Sequence, residues 1–108
     1  MNWKGLYSSA FILRIKPGMT AEYERRHDMI WPRMVEALKA QGIVHYEIHL
    51  DEKTNRVFGH MLRDRPVDPA APEPPAVLEW RQSMADVLDY DGDRPARDPI
   101  RRVFYLTA

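Results

Sequence analysis

From Val44 to Leu50 the chain alternates strictly, with Val44, Tyr46, Ile48 and Leu50 on one face and His45, Glu47 and His49 on the other. That period of two predicts a half-buried strand. Asp51 to Asn55 supplies a turn, and Arg56 to Leu62 returns as the next strand, since the connection is short enough for a hairpin. Upstream, Ala10 to Ile15 is mostly apolar and β-prone, and Pro17-Gly18 closes it as a turn, which makes it the first strand. Thr20 then offers a helix N-cap, and Glu22 and Glu24 fall in the first turn, where the helix dipole favours anions. Pro32 has no N–H and disfavours helical geometry at Trp31, so this helix must break or kink there and resume from Pro32 to Lys39, with Gly42 as its stop. Val77, Trp80, Met84 and Leu88 recur at helical spacing and predict a second helix. Arg101 to Leu106 is the expected last strand.

Strand, helix, strand, strand, helix, strand is the order of the α+β ferredoxin-like plan, a split βαβ antiparallel sheet with both helices on one face. Yet Phe11, Leu13, Phe58, Phe104 and Leu106 alternate with Ile12, Val57, Val103 and Tyr105, so both faces of this sheet carry apolar residues. A second copy packed face to face would cover the open side. The expectation is a two-fold homodimer in which each half-barrel encloses a pocket between sheet and helices. Two segments interrupt the pattern. Arg65 to Pro75 reads Arg-Pro-Val-Asp-Pro-Ala-Ala-Pro-Glu-Pro-Pro, too proline-rich for a helix or central strand, and Asp89 to Pro99 reads as a polar loop. There is no repeat of fixed period, and residues 1–108 are expected to form one domain, too short for two cores.

Charge narrows the partner. Sixteen basic and sixteen acidic side chains balance, so no net field draws nucleic acid or an anionic membrane, and a small neutral molecule is the expected ligand. The chain has no cysteine, which removes thiolate nucleophiles, thiolate metal sites and disulfides and fits a reducing compartment. The opening Met-Asn-Trp-Lys-Gly-Leu-Tyr lacks an apolar signal core, and no apolar run approaches the roughly 20 residues of a membrane span. A soluble, cytoplasmic protein is expected.

Chemistry concentrates between Tyr23 and Pro32, where a phenol and an imidazole stand one helical turn apart beside a forced bend. On this spacing alone, His27 reads as a surface or satisfied core residue. Arg26 belongs to a solvated helix face, or hydrogen-bonds a ligand or a neighbouring carboxylate. His45, His49 and His60 sit where a hairpin would bring them near one another, but with Glu47 on the same face the simpler expectation is a solvent- or partner-directed surface with no metal. Trp80 and Tyr46 each have a packing role open to them, in the core and on the sheet.

Glu22-Tyr23 with Arg25-Arg26-His27, Ile30-Trp31-Pro32, Tyr46 with Ile48 and Leu50-Asp51, Trp80 with Met84-Ala85-Asp86-Val87, and Val103-Phe104-Tyr105-Leu106 together resemble the L-rhamnose mutarotases, in register over nearly the whole chain. The resemblance implies a dimeric α+β barrel that interconverts the α and β anomers of a 6-deoxy-L-sugar without a cofactor. By position it implies His27 as the catalytic residue and Tyr23, Tyr46 and Trp80 as the sugar-binding aromatics. The chain departs from the family pattern at the Arg65 to Pro75 loop, at Trp80-Arg81 where a Trp-Trp pair is common, and at Asp91-Gly92-Asp93-Arg94-Pro95. These departures leave the chemistry in place and the choice between L-rhamnose, L-fucose and other 6-deoxy sugars open. The same barrel plan also hosts cofactor-free or haem-binding oxygenases and decarboxylases, and a non-catalytic sugar-binding module would keep such a pocket.

The chemistry suits these residues. Mutarotation opens a cyclic hemiacetal, rotates the C1 carbonyl and recloses it, which requires one proton taken from the anomeric hydroxyl and one given to the ring oxygen. Histidine exchanges protons near neutral pH. Aromatic faces fit the C–H surface and methyl group of a deoxy sugar, and phenol and indole edges reach its hydroxyls.

Overall fold

A computed structural model describes residues 5–106; the opening residues 1–4, expected to carry no signal core, lie outside the described residues. The strands and helices run β1 (Tyr7–Arg14), α1 (Thr20–Asp28), α2 (Pro32–Ala40), β2 (Ile43–Asp51), β3 (Arg56–Arg63), α3 (Pro75–Ser83), then three two-residue strands, β4 (Tyr90–Asp91), β5 (Arg94–Pro95) and β6 (Arg97–Asp98). The described residues form a mixed α+β domain with three helices. Its main sheet has the order β2-β3-β1-β6, and β1 pairs antiparallel with both β3 and β6.

The β2–β3 hairpin forms over the expected residues, with Asn55 in the left-handed conformation (φ 56°) at the turn, but Val44 and Tyr46 on the expected inward face of β2 are 55% and 36% exposed. One irregularity, between Ile43 and His45, shifts the register where β2 begins. The prolyl break is complete: α1 stops at Asp28, Trp31 is extended (φ −63°, ψ 133°), and Pro32 opens α2 at a position where its missing N–H costs nothing.

Four expectations are corrected. Thr20 does not cap α1; Met19 holds that position, and the Thr20 hydroxyl donates instead to the Asn55 side chain at 3.1 Å. The second helix ends at Ser83, before Met84 and Leu88, because the chain turns there to meet the end of β1: the Lys16 N–H donates to the Val87 carbonyl at 2.9 Å and the Asp89 N–H to that of Arg14 at 2.9 Å. Met84, Val87 and Leu88 are nevertheless buried, so their spacing reported burial and not helix. Asp89 to Pro99 is not a plain loop but the β4–β5 hairpin followed by β6. Finally, Arg101 to Leu106 is not a strand. β6 completes the sheet, Pro99 cannot continue its ladder, and Val103, Phe104 and Leu106 remain between 77% and 79% exposed.

The core lies between the helices and one sheet face. Phe11, Leu13, Val57 and Met61 meet Tyr23 of α1 and the Met84–Leu88 turn, with Leu38 and Trp80 packed at its edge. Phe58, paired with Ile12 on β1, points away from this core and is 43% exposed.

Candidate active site

Between the sheet and the helices lies a cavity of about 640 Å³, within the ~300–1,000 Å³ of ordinary small-molecule sites. Tyr23, His27, Tyr46 and Trp80 all line it. α1 contributes the first two from one face, β2 places Tyr46 on its inward side, and α3 brings Trp80 against His27. The rings form a chain of contacts. Tyr23 and His27 lie 4.3 Å apart between centroids, His27 meets Trp80 edge-on at 5.3 Å, and Trp31 from the break between α1 and α2 meets Trp80 edge-on at 5.1 Å. Tyr46 stands apart from this chain and instead meets Phe11 edge-on at 6.2 Å.

The protonation of His27 follows from its neighbours. Its Nδ1 lies 2.9 Å from the Tyr23 carbonyl, and since a carbonyl only accepts, Nδ1 carries the proton. Nε2 is left with a lone pair and has no hydrogen-bond partner among the described residues. Burial pushes the imidazole below the ordinary histidine value, partly opposed by that same backbone hydrogen bond and by the nearby Asp28 carboxylate. The ring is therefore neutral at pH 7, with its basic nitrogen unoccupied. Burial has the opposite consequence for the phenols and raises both Tyr23 and Tyr46, so each stays protonated and able to donate.

Arg26 satisfies the carboxylate alternative. It donates to both oxygens of Asp86, at 2.8 and 2.9 Å, to Glu22 at 2.6 Å, and to the Ser83 carbonyl at 2.8 Å. This fork fastens α1, which carries Tyr23 and His27, to the segment leaving α3, which carries Trp80.

The wall also contains charged groups that the sequence did not reveal as site residues. Glu73, near the end of the proline-rich loop, accepts a bidentate pair from Arg81 at 2.6 and 2.7 Å, and this pairing holds the Glu73 carboxyl below its ordinary range. The Tyr90 hydroxyl donates to the Arg81 carbonyl. Arg97 stacks its guanidinium 4.4 Å above the Phe11 ring, and Arg63 reaches the Gln41 carbonyl at 3.1 Å. Two of the three departures from the family pattern, the loop and Arg81, thus meet in one ion pair at the cavity wall. No local signal could have joined residues eight apart, one just before α3 and the other on it. A group able to share a metal ion, His45, Glu47 and His60, lies outside the His27 ring chain.

The arrangement offers a base, protonated phenols and stacking surfaces around one cavity, which is the equipment for proton transfer on a small polyhydroxylated ligand. Known proteins agree. The family model of L-rhamnose mutarotase matches residues 8–106. An L-rhamnose mutarotase of Mesorhizobium japonicum is 41% identical over 99 residues, covering 90% of this chain and 94% of its own. One from Acidiphilium cryptum is 45% identical over 100 residues, covering 90% and 95%. The crystal structure of an L-rhamnose mutarotase from Formosa agariphila superposes with a TM-score of 0.80 at 30% identity, covering 94% of this chain and 99% of that one. A match of this extent, on a fold that gathers His27 and its aromatic neighbours around one cavity, means that the chain belongs to the L-rhamnose mutarotase family.

Proposed function

We propose that this protein is an isomerase that interconverts the α and β anomers of L-rhamnose, with His27 as its proton-transfer group. The observation that carries the assignment of His27 is its fixed tautomer, with Nδ1 committed to the Tyr23 carbonyl and Nε2 unpartnered in an aromatic cavity. Ring opening removes the proton of the anomeric hydroxyl, breaks the bond from C1 to the ring oxygen, forms the C1 carbonyl and protonates the ring oxygen. Nε2 takes the first proton, and a phenol of Tyr23 or Tyr46 donates toward the ring oxygen. Rotation about C1–C2 and reclosure return both protons and give either anomer. Trp80 offers its face to the sugar's C–H surface. Nothing is oxidised or transferred, so the chain's own side chains suffice.

Polarimetry or anomer-exchange NMR on a panel of sugars tests the assignment. L-rhamnose anomers exchange faster with protein than in buffer, L-fucose and other 6-deoxy-L-hexoses rank the specificity, and silence across the whole panel removes the mutarotase reading. Arg26 is expected to act through position. Arg26→Ala lowers kcat/KM about tenfold by loosening α1 from the α3 exit, and Arg26→Lys restores little, because an ammonium cannot span both Asp86 oxygens. Unchanged kinetics in Arg26→Ala would show that the tie is dispensable.

We further read the sheet order as the ferredoxin-like plan in a single domain that pairs through its open sheet face into a two-fold dimer. The support is exposed apolar surface on that side and along the last residues: Phe58 at 43%, Tyr105 at 43%, and Val103, Phe104 and Leu106 at 77–79%. A monomer rarely leaves so much contiguous apolar surface in water. Sedimentation at micromolar concentration is expected to give the dimer mass, and a stable monomer refutes the pairing. The lack of cysteine is consistent with a cytoplasmic location, and among the described residues no helix is long and apolar enough to cross a membrane.

A further inference from the structure

The outward face of the β2–β3 hairpin carries a cluster that the sugar chemistry leaves unused. His45 and Glu47 are two residues apart on β2 and so project to the same side, and Glu47 stands directly opposite His60 on β3. One ligand atom from each of the three lies within 4.8 Å of the others. Glu47 accepts from His45 Nε2 at 2.8 Å and from His49 Nε2 at 3.3 Å. His60 is only partly exposed, its ring centroid lies 6.2 Å from that of His45, and its imidazole makes no hydrogen bond among the described residues.

We propose that His45, Glu47 and His60 form a binding site for a divalent first-row transition ion of the zinc class, on the side of the sheet away from His27. Two imidazoles with one carboxylate suit Zn²⁺, Cu²⁺ or Ni²⁺ and are poor for Mg²⁺ or Ca²⁺, which take oxygen ligands. Tetrahedral coordination at ~2.0–2.1 Å puts ligand atoms roughly 3.4 Å apart, so small side-chain rotations draw this cluster around an ion. The strands fix the stems: same-face spacing on β2 and the Glu47–His60 pairing across the ladder bring the three together without any loop. Glu47 faces His45 and His49 with both carboxylate oxygens, and the ion replaces the proton that His45 now shares with it. This side of the sheet is also the open face through which the two-fold pairing is proposed, so the fourth position left by three protein ligands falls to water or to a group of the partner. Such an ion would clip the edge strand β2 to β3.

The test is calorimetric titration of chelator-treated protein with ZnCl₂, alongside thermal melts with and without the ion. The wild type is expected to bind one Zn²⁺ per chain with a dissociation constant below about 10 µM and to melt several degrees higher with zinc in excess. Because His45 also borders the sugar cavity, the informative substitutions fall on the other two ligands. Glu47→Gln and His60→Gln each weaken zinc binding at least tenfold and keep anomer exchange within about twofold of wild type, while His49→Ala binds as wild type does. The proposal is overturned if the wild type shows no saturable binding up to about 100 µM, or if folded Glu47→Gln and His60→Gln proteins bind zinc as tightly as the parent. It also fails if MgCl₂ produces the same heat and melting shift as ZnCl₂, which would mean general charge screening.

Discussion

His27→Ala is expected to slow L-rhamnose anomer exchange by roughly 10²- to 10⁴-fold, the usual contribution of one positioned proton-transfer group, in a protein that keeps its fold. His27→Asn should recover little, since an amide reproduces the hydrogen bond to the Tyr23 carbonyl but cannot carry a proton. The pH profile separates chemistry from packing. Burial lowers the His27 pKa, so the neutral, active ring persists through neutrality, and the rate falls only as pH drops below the ordinary histidine value of about 6.5. That acid limb disappears in His27→Asn, whose residual activity is flat across the same range. Tyr23→Phe should cost less, because Tyr46 retains a protonated phenol at the same cavity. Near wild-type exchange in folded His27→Ala would remove His27 from the mechanism.

Gly59→Ala is expected to destabilise the fold by about 2–3 kcal/mol and to lower the melting temperature by ~10 °C or more. The cause is space and not backbone conformation. A methyl group at Gly59 would lie 2.2 Å from Cζ of Phe11, and 2.6 and 2.7 Å from its Cε atoms. The Phe11 ring lies over the opposite residue in the β1–β3 ladder. It cannot simply swing aside, because the Arg97 guanidinium covers it at 4.4 Å and Tyr46 abuts its edge. The displaced ring would move toward the cavity it helps to line, so sugar affinity should fall together with stability. Phe11→Leu in the Gly59→Ala background should recover part of the loss. Calorimetric melts decide it, and a shift under about 2 °C would show that the ring is not seated on Gly59.

Local covalent causes made much of this structure legible. Pro32 has one way to act on the residue before it, and Trp31 is extended as required. Strict alternation from Val44 to Leu50 gave β2, and the short turn gave β3. The Tyr23–His27 spacing and the family resemblance together identified four residues that converge on one cavity. What escaped notice depends on partners distant in sequence. Met84 and Leu88 kept helical spacing because both are buried, but burial against β1 can be achieved by a turn as well as by a helix. The apolar run at Val103–Leu106 looked like a strand, yet the two residues at β6 had already taken the free edge of β1. The Glu73–Arg81 pair and the stacked Arg97 were invisible, since charged residues in a loop and on a helix read as solvated until the fold closes them over a cavity.

The Glu73–Arg81 pair also bears on how such an enzyme can diversify. His27 and Tyr23 sit on α1, tied down by Arg26, whereas this ion pair joins a loop with no part in the core to a single position beside Trp80. Replacing that loop, or residue 81, would change the polarity of the cavity wall while leaving the proton-transfer residue and its helix untouched. New sugar preferences are therefore accessible to this lineage through changes that leave the buried core intact, at a wall where selection could choose the substrate.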